Sequence, residues 1–449
     1  QMNTVYFIGI GGIGMSAIAR YYKHKGYRVS GYDRTPSELT HALEKEGIEV
    51  HYEDRPELVP ADKEHTLVVY TPAIPSDMKE LVKVQSEGYR VVKRSKILGE
   101  LTAGQRTLAI AGTHGKTTTS TLLAHILETS PEGCSAFLGG ISNNYGTNFL
   151  LNSNDVVVVE ADEFDRSFLQ LHPQIAAITA MDADHLDIYG DLEHVQQAYR
   201  EFAGQVSDCL VAKYGLPLDP ADFKARIYTY STTDSRADFH AENLRLSSDG
   251  HYTFDLVHPD GVLRDIHVGT LGILNAENGI AAAAVALLHG TSEEAVREAI
   301  GTFKGVKRRM EEHVNEPGLT YIDDYAHHPA ELAASIRTIK EIFPGRNVCA
   351  VFQPHLFTRT RDFAKEFAEA LSLADEAVLL DIYPARELPI EGITSEIIYK
   401  DVTCSEKWLL HYEDLLDWVK THETDVLVTF GAGNIDRLVE LIKEILERK

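Results

Sequence analysis

Short apolar runs that end in glycines or acids alternate with stretches of helical apolar spacing along most of the chain. Val5–Ile8 is the first such run. Glycines follow from Gly9 to Gly14, then helix-spaced apolar residues through Ala19. Strand-like runs recur at Val29–Asp33, Thr66–Tyr70 and Arg90–Val92, with a helical pattern over Asp77–Gly88. Leu108–Ala111 opens a second series and is followed by a helical pattern from Ser120 to Leu127. Val156–Val159 has the continuous apolar character of a strand buried on both faces, and Ile175–Ala180 repeats it. Residues 238–270 read as an antiparallel excursion, since Tyr252–Leu256 alternates, and an alanine-rich helix that starts near Asn275 runs to His289. A third series has strands at Leu319–Ile322, Val348–Phe352, Ala377–Leu380 and Asp425–Phe430, with helices between them. Strand–helix alternation of this kind predicts an α/β protein. The boundaries fall at 1–105, 106–310 and 311–449, with the charged stretch Glu311–Pro317 as a hinge.

The polar residues gather where strands end, the rim at which open α/β sheets keep their ligands. Gly112-Thr113-His114-Gly115-Lys116-Thr117-Thr118 lies between an apolar strand and a helix. Glycines let backbone N–H groups turn around phosphate oxygens, and the helix start adds its positive end. Lys116 supplies a point charge for the outer phosphates, and Thr117 a hydroxyl for Mg²⁺. The usual phosphate-loop spacing has glycine where this chain has Ile110. Glu160, at the end of the valine strand, is the expected Mg²⁺ partner and heads a run that includes Asp162, Glu163 and Asp165. His185, among carboxylates after the next strand, is a candidate metal ligand. In the first series, Gly9, Gly11, Gly12, Ile13 and Gly14 form a dinucleotide fingerprint with an acid, Asp33, about 20 positions on. A pyrophosphate is expected on that helix start and a ribose or base at Asp33, with Thr71 to Ala73 lining the site. Asn275 and Asn278 begin a helix, and Arg308 and Arg309 sit in a basic turn able to clamp phosphate.

The charge balance, 43 basic to 68 acidic residues and a net −25, argues against a nucleic-acid or anionic-membrane surface. It leaves room for small anions held by loops, arginines and Mg²⁺. The cysteines, Cys134, Cys209, Cys349 and Cys404, are far apart, as in a reduced cytoplasmic protein. The opening apolar run is too short for a secretory leader, and no run approaches the roughly 18 residues of a membrane span. Monomer and homodimer are both compatible with the sequence.

Taken in order, Gly-Thr-His-Gly-Lys-Thr-Thr at 112–118, the valine strand into Glu160, Asp184-His185-Leu186-Asp187, Asn275-Ala276-Glu277-Asn278 and Asp323-Asp324-Tyr325-Ala326-His327-His328-Pro329 resemble the Mur ligase family over essentially the whole chain. That resemblance implies three domains, each on a mainly parallel sheet. They are a Rossmann-like domain for a UDP-sugar, a central P-loop ATPase domain, and a Rossmann-like C-terminal domain for an amino acid. It implies ATP and two Mg²⁺ ions as cofactors, with UDP-N-acetylmuramate and L-alanine as substrates joined through an acyl phosphate in peptidoglycan precursor synthesis. Lys116 would hold the outer phosphates, Thr117 and Glu160 one Mg²⁺, and His185 the second. Asn275 would read adenine, while Arg308 or Arg309 and Asp324 would meet phosphate and ribose. Tyr325, His327, His355, Arg359 and Arg361 fall where the family binds the amino acid. Two departures stand out: Leu274 replaces a histidine frequent before the adenine-reading Asn, and Tyr199 stands where several sister ligases carry a carbamylated lysine. The other readings open to these motifs are a ligase of the same family that adds a tripeptide, a nicotinamide-dependent oxidoreductase and a P-loop switch.

Overall fold

The computed structural model describes residues 1–183 and 189–449. The first sheet is fully parallel. It consists of β1 (Thr4–Ile8), β2 (Arg28–Tyr32), β3 (Glu49–His51), β4 (Thr66–Tyr70) and β5 (Arg90–Lys93), in the order β3-β2-β1-β4-β5. The strand order reverses at β1, so the crevice beyond its C-terminal end is the place for a ligand. The glycine loop fills that position.

The second sheet contains β6 (Arg106–Ala111), β7 (Ser135–Phe137), β8 (Phe149–Leu150), β9 (Val156–Glu160), β10 (Ile175–Ile178), β11 (Cys209–Lys213), β12 (Arg226–Ser231), β13 (Phe239–Leu246), β14 (Tyr252–His258) and β15 (Gly261–His267). Its order is β15-β14-β13-β12-β11-β10-β6-β9-β7-β8, so the excursion expected over 238–270 is an extension of one edge. Here β6 is the reversal point, flanked by β9 and β10 in parallel register: Ile110 pairs with Glu160 and Ala111 with Ile178. Val157, Val158 and Val159 are wholly buried, as a strand covered on both faces requires. Each such valine contributes about 1.5 kcal/mol or more of burial.

The third sheet holds β16 (Glu311–Glu316), β17 (Leu319–Asp324), β18 (Val348–Phe352), β19 (Glu376–Leu379), β20 (Glu406–Leu409) and β21 (Val426–Phe430), in the order β16-β17-β21-β18-β19-β20. All pairs are parallel except β16 with β17. The expected hinge at Glu311–Pro317 is therefore corrected. Glu311–Glu316 is an edge strand folded back by a turn at Gly318 (φ +81°). Charged side chains suit an edge strand as well as they suit a linker, because one face stays in water.

By packing, the chain falls into two compact bodies. One comprises Gln1–Glu242, Asp255–Ile266 and Glu277–Lys304, and the other Asn243–Phe254, His267–Ala276 and Gly305–Lys449. The first body joins the first sheet to the core of the second through one continuous apolar cluster. A buried polar knot reinforces that junction. Ile13, Ser16 and Arg20 share one face of the helix Ile13–His24, and Asn148 meets all three. Arg20 Nη1 donates to Asn148 Oδ1 at 2.8 Å, while Asn148 Nδ2 donates to Ser16 Oγ at 3.2 Å and to the Ile13 carbonyl. Asn148 has no solvent exposure, so its partners have no water to replace it. Asn148→Ala should lower the unfolding free energy of this body by about 1–3 kcal/mol, the cost of orphaning buried donors and acceptors. Urea unfolding monitored by far-UV circular dichroism checks this; an unchanged midpoint would deny the knot a structural role.

Candidate functional site

The phosphate loop runs from β6 into the helix Lys116–Thr129. Two of its glycines are required. Gly112 (φ +149°) passes so close to the end of β10 that a Cβ would lie 1.9 Å from Thr179 Oγ1. Gly115, the residue before the helix, is left-handed at φ +81°, and its Cβ would meet Asn278 Oδ1 at 2.9 Å. The loop is tied to the segment after β10. Thr179 Oγ1 donates to the His114 carbonyl, and the Asp182 amide donates to Thr113 Oγ1 at 3.1 Å. The His114 ring is exposed, 3.4 Å from Asp182, and Thr118 is half-buried.

Lys116 and Thr117 each meet a carboxylate. Lys116 Nζ lies 3.0 Å from both oxygens of Glu163, a buried side chain. Burial pulls the Lys116 ammonium down, but Glu163 and Asp162 outweigh it and hold its pKa above the ordinary lysine range. Thr117 Oγ1 donates to Glu160 Oε1 at 2.9 Å. Glu160 in turn lies over Gly139, where a Cβ would fall 2.0 Å from Oε2. A hydroxyl and a carboxylate in contact at the mouth of a phosphate loop are a fitting oxygen set for Mg²⁺. His185, the other expected metal ligand, lies outside the described residues. Tyr199 is wholly buried, edge-on to Phe168 at 5.2 Å, and offers no nitrogen for a carbamate.

In the first sheet Gly9 takes φ +93°, and the Gly11 amide donates to Asp33 Oδ2 at 2.8 Å. Asp33 thus also shapes the glycine loop itself, since a Cβ on Gly11 would sit 2.7 Å from the same oxygen. Gly12, Ile13, Gly14, Thr71 and Ala73 line a cleft of about 330 Å³. Its other wall carries Gly139, Glu160 and Asp162, so one cleft runs from the glycine loop to the carboxylate beside the phosphate loop. Sequence reasoning missed Glu163 as the partner of Lys116, and missed Gly139 and Arg94 in this cleft. Arg94 and Gly139 do follow strand ends, at β5 and β7, which is the one signal that could have found them.

In the second body Arg308 (φ +65°) is committed to the protein. Its Nε and Nη2 reach Asp323 at 2.8 and 3.0 Å, and Nη1 donates to the Gly431 carbonyl at 2.6 Å. Arg309 is exposed, and its side chain has no hydrogen-bonding partner among the described residues. Asn275 Nδ2 donates to the Leu271 carbonyl at 2.7 Å. His327, His355 and Arg359 come together: the imidazole centroids are 6.2 Å apart, and Arg359 Nη1 is 3.2 Å from His355 Nδ1. The Tyr325 ring packs on His327 at 4.8 Å, and Tyr383, which the sequence did not single out, stacks on His355 at 5.8 Å. Burial lowers the pKa of both imidazoles, and the Arg359 charge adds to it for both, which favours their neutral forms. Arg361 turns instead to Asp362, at 2.9 Å.

A glycine loop of the phosphate-binding kind beside a glycine-rich cleft, with a mainly parallel sheet in the second body presenting histidines and an arginine, marks a multidomain α/β enzyme. The family model described as "Mur ligase family, catalytic domain" matches residues 4–106. "Mur ligase middle domain" matches 110–286, and "Mur ligase, glutamate ligase domain" matches 308–433. The chain belongs to the Mur ligase family. It is 50% identical to the UDP-N-acetylmuramate–L-alanine ligase of Parabacteroides distasonis, over 99% of this chain and 98% of that one. Its identity to the ligase of the same name from Flavobacterium johnsoniae is 47%, over 99% and 98%. The crystal structure of the UDP-N-acetylmuramate–alanine ligase of Thermotoga maritima matches with a TM-score of 0.81 at 26% identity, covering 99% of this chain and 98% of that one. The glycine fingerprint is thus that of a Mur ligase N-terminal domain, not of a nicotinamide dehydrogenase. No helix among the described residues is long and apolar enough to cross a membrane.

Asp324 gives this second body a pH signature. Burial raises its pKa to about 6, although the Ala326 amide at 2.8 Å and the Ser335 hydroxyl at 3.2 Å both oppose the shift. A raised folded-state pKa stabilises below the unfolded value near 3.8, and that stability is lost as pH rises through 6. The loss is of order 3 kcal/mol. Asp324→Asn should lack this slope, so its unfolding free energy relative to wild type should rise between pH 4 and 7. Urea titrations at the two pH values check it; a constant difference would refute the ionised burial of Asp324.

Proposed function

We propose that this chain is an ATP-dependent ligase that joins L-alanine to the carboxylate of UDP-N-acetylmuramate in cytoplasmic peptidoglycan precursor synthesis. The observation that carries the reading is the cleft that runs from the Gly9–Gly14 loop to Glu160, where Thr117 and Lys116 stand. A sugar nucleotide and ATP bound at its two ends bring a carboxylate and a γ-phosphate together. The names of the relatives supply the substrates. The glycine loop and the helix start behind it cradle the diphosphate. Lys116 holds the outer phosphates of ATP, exchanging the Glu163 carboxylate for a phosphoryl oxygen. Thr117, Glu160 and His185 would hold Mg²⁺, which when bound neutralises the repulsion between the two anionic reactants. The muramyl carboxylate attacks the γ-phosphorus, ADP leaves, and the acyl phosphate forms. The alanine amine then attacks the acyl carbon and phosphate leaves. On the second body, Arg359 suits the alanine carboxylate, and the neutral His327 and His355 can accept hydrogens from its ammonium. Arg309, uncommitted where Arg308 is bound to Asp323, is the better phosphate contact of the two.

Phosphate release from ATP with UDP-N-acetylmuramate and Mg²⁺ tests this, with L-alanine, L-serine, glycine and a tripeptide supplied in turn. Release should depend on L-alanine and stop on chelation of the metal. Lys116→Ala should reduce kcat by about 10²–10³ or more while UDP-sugar affinity stays near wild type. Turnover with the tripeptide alone would move the chain to the tripeptide-adding branch.

A further inference from the structure

Arg94 lines the cleft, and the reading above does not use its chemistry. It is the first residue of the helix Arg94–Thr102, directly after β5. Its Nε is wholly removed from solvent, and its side chain makes no hydrogen bond or ion pair among the described residues. The guanidinium lies flat on the glycine loop: a Cβ on Gly14 would be 2.4 Å from Cζ, Nε and Nη2. Asp162 and Glu160 act on it through space, and burial still drives its pKa below the ordinary arginine value. Arg94 as a whole is half-buried, but its Nε is cut off from water with no hydrogen bond made, and a polar group so placed calls for a partner. Two helix starts open on the same space. The helices Ile13–His24 and Arg94–Thr102 both lack a side-chain cap at their N-termini, and Ile13, Gly14, Arg94 and Ser95 all line the cleft. Unmade amide and guanidinium donors of this kind, with two positive dipole ends, select an anion.

We infer that Arg94 is an anion-holding residue of the UDP-sugar site, a residue outside the glycine fingerprint that closes on the substrate from the opposite helix. The inference rests on the proposed function, which supplies two anions for it: the diphosphate and the lactyl carboxylate that is to be phosphorylated. Its place between Gly14 and the Glu160 side of the cleft suits either one. Gly14 is the residue that makes room for it.

Calorimetry on the full chain distinguishes the sources. UDP-N-acetylmuramate and UDP-N-acetylglucosamine are titrated into wild type, Arg94→Met and Arg94→Lys; the second sugar has the same diphosphate and no lactyl carboxylate. Arg94→Met should weaken UDP-N-acetylmuramate by about 10–100-fold, and Arg94→Lys by less, since it keeps the charge and loses the fork. Equal weakening of both sugars assigns Arg94 to the diphosphate, and weakening of the muramate alone assigns it to the carboxylate. The ligand-free melting temperature of Arg94→Met should stay at or above wild type, because a cation with no partner among the described residues is removed. A binding loss accompanied by an equal loss of ligand-free stability would make the residue structural and overturn the inference. So would unchanged affinity of Arg94→Met for both sugars. Failure of the wild type to bind either sugar would instead overturn the proposed function.

Discussion

The position of β6 between β9 and β10 is the constraint on which the site depends. Parallel pairing sets Ile110 beside Glu160 and Ala111 beside Ile178, so three strand ends arrive at one level. The loop that leaves β6 then has carboxylates on one side and Thr179 on the other. A shift of one residue in the β6–β9 pairing would turn Glu160 to the opposite face of the sheet and leave Thr117 without its partner.

Charge compensation follows from that geometry. Carboxylates cluster after β9, and the buried one among them, Glu163, is tolerable only beside a cation. Lys116 supplies one, held charged by Glu163 and Asp162. The same local arrangement that steadies these acids is suited to receive a metal ion and a phosphate chain. Toward the glycine loop the sign reverses. There the glycine loop and Arg94 offer donors and positive charge. One cleft with an acidic end and a basic end is a sensible way to align an anionic acceptor with a metal-bound phosphoryl donor.

The C-terminal body follows the same rule with different residues. Its strand ends carry the Asp323–Arg308 pair and the His327, His355 and Arg359 group. Gln353 stitches the ends of β18 and β21, taking the Ile435 amide at 3.1 Å and giving to Asn434 at 2.6 Å. The polar rim is therefore fixed from below by hydrogen bonds as well as by strand pairing.

The local grammar was legible in the sequence. Apolar run, glycines and helix pattern lie within a dozen or so consecutive residues, and backbone sterics alone demand glycine at 9, 112 and 115. Glu160 could be matched to Thr117 because one ends the apolar strand that follows a phosphate loop and the other stands in the first turn of that loop's helix. What the sequence could not decide were pairings between residues far apart. Arg308 and Arg309 are adjacent and identical on paper; only the fold gives one to Asp323 and leaves the other in water. Glu311–Glu316 reads as a linker until β17 is there to pair with it. Lys116 could be seen as a phosphate ligand, but not that Glu163 holds it. Arg94 looks like an ordinary surface cation at a helix start, and its packing over Gly14 exists only once two helices from separate βα units converge. Local spacing determines which elements form; strand register and helix packing determine which side chains meet, because those distances are set by contacts across the whole sheet.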